Sequence, residues 1–407
     1  MKNIREEAKR VLLNNFEATG KRYITPAWPH YRYQWVWDSS FHAISASELG
    51  LDDIAKNEIR QLFKYQDSRG WIPHFIYHGY YAKWDAEMWL YGKGLRPKTS
   101  SLVGQPVIAQ AVEAINDKNF SAEVAEPLVK FYKYFIEYRD AYNVVSIISH
   151  RESGRDAAPE FDFFRPVLPK RFNRLNGFLD FLFTLFIDFR NLLLGWDEEK
   201  ILQRGPFNVK DVGEHTIFID GLYSLKNILK SVDMLYLFPN IDEAIKRSIN
   251  ALIDTCWDKE DKRFYPVRVG HGMLKDHYSI GNIMPLIIKD LPREMVEGIV
   301  KDIKDPNLFW TKYPLPSVSV SDSEFLPDKI FPIWRGPTWI NTNWFIIRAL
   351  VQHGETDAAK EIAERSKEMI KRKGYWEFYD PYTGEGMRIE DFAWSTLVVT
   401  FDKLVEK

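Results

Sequence analysis

Residues 338–380 read TWINTNWFIIRALVQHGETDAAKEIAERSKEMIKRKGYWEFYD. Over 338–353, and again over 355–372, apolar residues recur at three- and four-residue spacing, the period of a helix that buries one stripe. Two helices therefore follow one another, and the chain then enters an aromatic and acidic turn at 375–380. The same spacing returns over 2–18, 40–66, 105–116, 122–140, 215–233, 241–255, 292–303 and 391–405, while strand-like alternation is sparse and short. A second aromatic and acidic turn, WDKEDKRFY at 257–265, follows the helix at 241–255. Helix pairs repeated from end to end predict an all-α chain whose pairs stack into a toroid, with the loops of one end lining a central cavity. No Ser- or Gly-rich linker divides the chain, so residues 1–407 are expected to form a single domain.

Lys and Arg total 55 against 57 Asp and Glu, a net charge of -2 that gives no general attraction to nucleic acid or to an acidic membrane. The lone Cys256 excludes an internal disulfide framework and a cysteine-rich metal cluster, and it suits a reducing cytoplasm. The N-terminal MKNIREEAKRVLLNNF reads as an amphipathic helix without the apolar core of a signal peptide, so no export is expected. Residues 176–196, NGFLDFLFTLFIDFRNLLLGW, are long and apolar enough to raise a transmembrane span. Asp180, Asp188 and Arg190 interrupt that run, each costing about 2.5 to 3.5 kcal/mol near a bilayer centre. A buried or lid-forming helix is the expectation, with a membrane-surface contact second and a span last.

Aromatic residues make up 15% of the chain, and the 14 tryptophans are not confined to apolar stripes. Many stand in polar stretches with Gly or Pro, as in WPHYRYQWVWD (28–38), FPIWRGPTW (331–339) and GYWEFYDP (374–381). Flat apolar faces with a few polar groups beside them suit the C–H faces of sugar rings.

Four loops carry candidate chemistry. In HRESGRDAAPE (150–160), Asp156 follows Gly154 and precedes Pro159, so its backbone is extended or turned and its carboxyl is free to enter a cavity. Aromatic walls and a second carboxylate nearby would raise its pKa, as a general acid requires; the plainer reading is a solvated turn of paired charges. Glu377 sits between Trp376 and Phe378, an expensive place for an acid unless it is displayed or capped, and Glu385 stands between two glycines; either could serve as a base. Trp35, Trp37 and Asp38 join stacking faces to an acceptor able to grip neighbouring hydroxyls. Trp334 and Arg335 precede a helix start marked by Pro337. No dinucleotide fingerprint, phosphate loop, HExxH or GxSxG is present. His74 and His78 lie four apart without an obvious third ligand, so no metal and no organic cofactor is expected.

Taken in order, YQWVWDSSFHA, ESGRDAAP, WRGPTWINTNW and YWEFYDPYTGEGMRIEDFAWS resemble glycoside hydrolase family 63, and especially its short members of the mannosylglycerate hydrolase kind. The likeness spans about residues 28–396. It implies an (α/α)6 toroid of six inner and six outer helices that cleaves α-glycosidic bonds with inversion. By that resemblance Asp156 takes the place of the general acid and Glu377 that of the general base. Trp35, Trp37, Asp38, Gln105, Trp334, Arg335, Gly336 and Trp376 correspond to sugar-contacting positions, and Glu385 to a second acid that binds substrate or holds the water. Where family members commonly have Asn-Ser-Pro after the acid, this chain has Ala157-Ala158-Pro159.

The resulting expectation is an inverting hydrolase of a small glucoside or mannoside, with a carbohydrate as its partner and no nucleic acid. A glycerate-like aglycone would want an arginine, for which Arg335, Arg151 and Arg155 are candidates. Residues 161–202 follow the acid loop and are expected to form a lid or a homo-oligomer contact. Two rival readings remain open: a sugar epimerase or isomerase on a similar toroid, which would use paired histidines, and a non-catalytic carbohydrate-binding protein without the acid pair.

Overall fold

The computed structural model describes residues 3–80, 90–91, 98–169 and 172–406. Helices alternate between an outer and an inner layer. Outer α1 (Ile4–Ala18) leads to inner α2 (Val36–Glu48), outer α3 (Asp52–Phe63), inner α4 (Ile108–Ile115) and outer α5 (Lys118–Tyr138). After α6 (Asn173–Leu193) and α7 (Glu198–Arg204) the alternation resumes with inner α8 (Val212–Ser231) and outer α9 (Ile241–Cys256). Inner α10 (Ile280–Ile283) continues as a 3-10 turn at Met284–Ile287 and is followed by outer α11 (Arg293–Lys304), inner α12 (Ile340–Gln352) and outer α13 (Thr356–Lys373). A 3-10 helix at Ala393–Thr400, extended by α14 (Phe401–Val405), completes the inner layer.

The inner ring closes on itself. Helix α2 packs against α4, α4 against α8, α8 against the Met284–Ile287 turn, that turn against α12, α12 against Ala393–Thr400, and the last segment returns to α2. Among the described residues, six inner and six outer elements thus form an (α/α)6 toroid. Composition follows position. Inner α8 is buried on nearly every side, whereas outer α3 buries only the stripe Ala55, Glu58, Ile59 and Leu62.

The expected helix over 40–66 is two helices. Gly50, at φ +72°, lets the chain reverse between α2 and α3, and the apolar period runs on across the break. Inner α10 was not legible as a helix, because Pro285 cuts an apolar run too short to show a period. Among the described residues, no helix is long and apolar enough to cross a membrane.

A candidate active site at the head of the inner helices

A hollow of about 220 Å³ opens at one end of the double ring. Its walls come from residues that precede or begin inner helices. Trp35, Trp37 and Asp38 stand at the start of α2, Trp334 and Trp339 lie before α12, and Phe392 and Trp394 flank the start of the Ala393–Thr400 segment. Trp334 and Trp339 stack in parallel with centroids 3.8 Å apart, and Trp37 meets Trp394 edge-on at 5.8 Å. These rings interlock with one another, so each face is fixed before a ligand arrives.

Asp156 and Glu377, 221 positions apart in the sequence, both line this hollow. The loop carrying Asp156 is gripped on both sides. Arg155 turns inward, is fully buried and pairs with Asp211 at 2.8 Å and Glu160 at 3.4 Å. Its guanidinium lies so close to Gly213 and Gly281 that an added Cβ would stand 2.3 and 2.8 Å from it. On the other side Arg335 donates to the Ala157 carbonyl at 2.9 Å while paired with Glu324 and Asp162. Upstream, Glu152 forms a buried two-point pair with Arg139, 2.7 Å at each contact, and accepts the backbone N–H groups of Val103 and Ile148. Gly154 has φ +70°, and the Trp37 ring lies 2.6 Å from where its Cβ would stand, so the turn admits no side chain. Half-buried Asp156 therefore projects from an anchored loop rather than a mobile one.

Glu377 is held by a hairpin between Trp376–Tyr379 and Gly386–Glu390. One carboxylate oxygen, Oε1, accepts from Arg388 at 2.6 Å and from the Tyr31 hydroxyl at 3.0 Å. The other, Oε2, is buried and makes no hydrogen bond among the described residues. Burial pushes the Glu377 pKa up to about 7, against the pull of Arg388 and Tyr31 and with a further push from the Asp156 charge. Burial and the neighbouring Glu377 and Asp156 charges also hold Asp38 well above the usual carboxylate range. Three carboxyl groups in one aromatic hollow cannot all ionise freely, the condition under which acid and base roles separate.

Other predicted positions lie outside the hollow's lining. Gln105 is fully buried behind it, donating to the Glu152 carbonyl at 3.0 Å and facing His74 Nδ1 at 3.2 Å. His74 itself lines the hollow, so Gln105 stands one residue removed. Arg335 and Gly336 shape the wall from behind: Arg335 by the contacts above, Gly336 by donating its N–H to Ser317 Oγ at 2.9 Å. Trp376 turns away, and its indole N–H meets the Lys373 carbonyl. Glu385 sits at the exposed hairpin turn, paired with Lys373. Of the two candidate bases, Glu377 lines the hollow and Glu385 does not. His74 and His78 turn to different partners, Gln105 and Gln34, and among the described residues no group of three or more His, Cys, Asp or Glu side chains could hold a metal ion.

Sequence reasoning passed over Arg388 and Tyr31. A signal for Arg388 existed: counting outward from the TGEG turn pairs Tyr379 with Gly386 and Phe378 with Met387, so Arg388 falls opposite Glu377. A bulge follows at once, and Arg388 has φ +73° there, which aims its side chain at the carboxylate. A larger cleft of about 1290 Å³ lies elsewhere, bounded by Asp67, Arg69, Trp71 and Glu198 among others. In its lining Asp67 and Glu198 are engaged by Arg69 and Asp140 by Lys210.

A closed ring of helix pairs with an acid pair in an aromatic hollow at one end defines a glycosidase-type toroid. Residues 31–395 match the mannosylglycerate hydrolase MGH1-like glycoside hydrolase domain, and the chain belongs to that family of glycoside hydrolases. It is similar to the mannosylglycerate hydrolase of Thermus thermophilus, 26% identical across 93% of this chain and 96% of that protein. It is also similar to the glucosylglycerate hydrolase of Mycolicibacterium hassiacum, 22% identical across 91% of each. The crystal structure of a family 63 mannosylglycerate hydrolase from Thermus thermophilus, in complex with Tris and D-glycerate, superposes with a TM-score of 0.87. The match covers 98% of this chain and 100% of that one at 24% identity.

Proposed function

We propose that this glycoside hydrolase cleaves the α-glycosidic bond of a small mannoside or glucoside with inversion, Asp156 acting as general acid and Glu377 as general base. The observation that carries the reading is that Asp156 and Glu377 line one hollow, with one Glu377 carboxylate oxygen left without a hydrogen bond among the described residues. In this reading Asp156 protonates the departing glycosidic oxygen while Glu377 Oε2 takes a proton from water attacking the opposite face. Trp35, Trp37 and Trp334 supply stacking faces and Asp38 an acceptor for sugar hydroxyls.

A hollow of about 220 Å³ is small beside the roughly 300 to 1,000 Å³ of sites for drug-sized ligands, and suits one sugar ring with a short aglycone. Of the arginines considered for a glycerate carboxylate, Arg155 and Arg335 are buried in ion pairs outside the hollow, whereas Arg151 lines it. Arg151 is therefore the favoured partner for an anionic aglycone, and mannosylglycerate or glucosylglycerate the favoured substrate. The buried Cys256 fits a reducing compartment such as the cytoplasm.

A hydrolysis screen of mannosylglycerate, glucosylglycerate and α-linked glucose disaccharides, followed by NMR, tests this. The β-anomer is expected as first product. An α-anomer first would replace inversion by retention, and tight binding without cleavage across the panel would support the carbohydrate-binding alternative. The epimerase reading requires paired histidines, and among the described residues His74 alone lines the hollow.

Arg388 gives a second test. Its charge opposes the burial that raises Glu377, so Arg388→Met should raise the base pKa further. A base works when deprotonated, hence the acidic limb of kcat/KM should move to higher pH, by roughly 1 unit for loss of one adjacent charge. An unmoved limb with lowered kcat would mean that Arg388 only packs.

A further inference from the structure

Helix α6 is inside out. The side facing the protein is polar: Asn176 exchanges hydrogen bonds with the Leu168 backbone, Asp180 pairs with Arg165, Thr184 meets His150, and Asn191 donates to the Ile148 carbonyl. The outer side is apolar. Leu175, Phe178, Phe181, Phe186, Phe189 and Leu193 follow one another at three- to five-residue intervals, each between 39% and 66% exposed. The helix, expected to be buried or lid-forming, is thus buried on its polar side only. Phe331, itself half exposed, continues the stripe beside Gly177, and two residues on Ile333 lines the catalytic hollow.

We infer that this face of α6 is an interface between two copies of the chain, related by a twofold axis and lying at the mouth of the hollow. Seven large apolar residues, Phe331 included, are each 39% to 66% exposed; at roughly 200 Å² per large side chain the stripe amounts to roughly 700 Å², above the roughly 300 to 600 Å² of the largest patch on a typical monomer and close to the roughly 800 Å² that each partner contributes to a stable complex. Its make-up is that of an interface core, rich in Phe and Leu, with exposed Arg190 toward its C-terminal end. An isologous pairing lets each stripe cover the other, apolar on apolar, with no second kind of surface needed.

The inner face of α6 touches the acid loop through His150, and the Asp180 carboxyl feels the Asp156 charge. Covering the outer face therefore braces the wall behind the general acid. This holds whatever sugar the hollow accepts.

Analytical ultracentrifugation of the full chain tests the inference. At micromolar concentration the protein should sediment at twice its 47.9 kDa mass. The double variant Phe178→Asp with Phe186→Asp, both on the exposed side, should keep its circular dichroism and raise the dimer dissociation constant at least 100-fold. A wild-type monomer at 100 µM overturns the inference, as does a dimer that the double variant leaves intact. Residues 170–174 are KRFNR, so co-sedimentation with phosphatidylcholine–phosphatidylglycerol vesicles is run in parallel. Monomeric protein on those vesicles would assign the face to a membrane surface and overturn the pairing.

Discussion

Asp156→Asn should lower kcat on the natural glycoside by about 10² to 10⁴, or roughly 3 to 5 kcal/mol of transition-state stabilisation, and leave the fold intact. An amide of the same shape cannot deliver a proton to the departing oxygen. The loop will not collapse, because its anchors are elsewhere: Arg155 on Asp211 and Glu160, Arg335 on the Ala157 carbonyl, Glu152 on Arg139. The melting temperature should therefore stay within a few degrees of wild type. Specificity for the acid role comes from the leaving group. An α-glycosyl fluoride departs without protonation, so the variant should recover most of its turnover on that substrate. Full activity on the natural glycoside would remove Asp156 from the reaction, and an equal loss on the fluoride would give it some role other than proton donor.

The loops that carry these side chains were legible because glycine, proline, tryptophan and acid cluster where a helix must stop. Periodicity located the long outer and inner helices for the same reason: a buried stripe repeats every three or four residues whatever the tertiary context. What stayed hidden depends on pairing between segments. Arg388 becomes a partner of Glu377 only once the hairpin register and its bulge are known. Gln105 and Arg335 look like ligand contacts in the sequence, yet they stand behind the wall, because a buried polar side chain satisfied by backbone reads the same as one aimed at a sugar. Glu385 looked poised between two glycines. Those glycines serve a hairpin turn, closed by Asp380 accepting from the Tyr382 and Thr383 N–H groups, and the turn points Glu385 to solvent. For helix α6 the sequence left a buried and a lid-forming helix both open, since an apolar run does not say which side the rest of the protein occupies.

Glu377→Gln should cost a comparable factor, about 10² to 10⁴ in kcat, with a different signature. The amide oxygen can still accept from Arg388 and Tyr31, so the hairpin and the hollow survive. What disappears is the acceptor at the Oε2 position, the oxygen of this carboxylate that makes no hydrogen bond among the described residues. Water attack is then unassisted whichever group leaves, so the α-glycosyl fluoride that rescues Asp156→Asn should give no rescue here. The acidic limb of the pH profile, set near 7 by the raised Glu377 pKa, should vanish with the carboxyl that titrates. A nucleophile that needs no base supplies the converse test. Added azide should restore turnover of the fluoride and yield the β-glycosyl azide, because it attacks from the face the water would have used. An α-azide would place a nucleophilic carboxylate on the enzyme and end the single-displacement mechanism. Unchanged hydrolysis with the acidic limb still in place would transfer the base role to another of the three carboxyl groups, with Asp38 next in line by position.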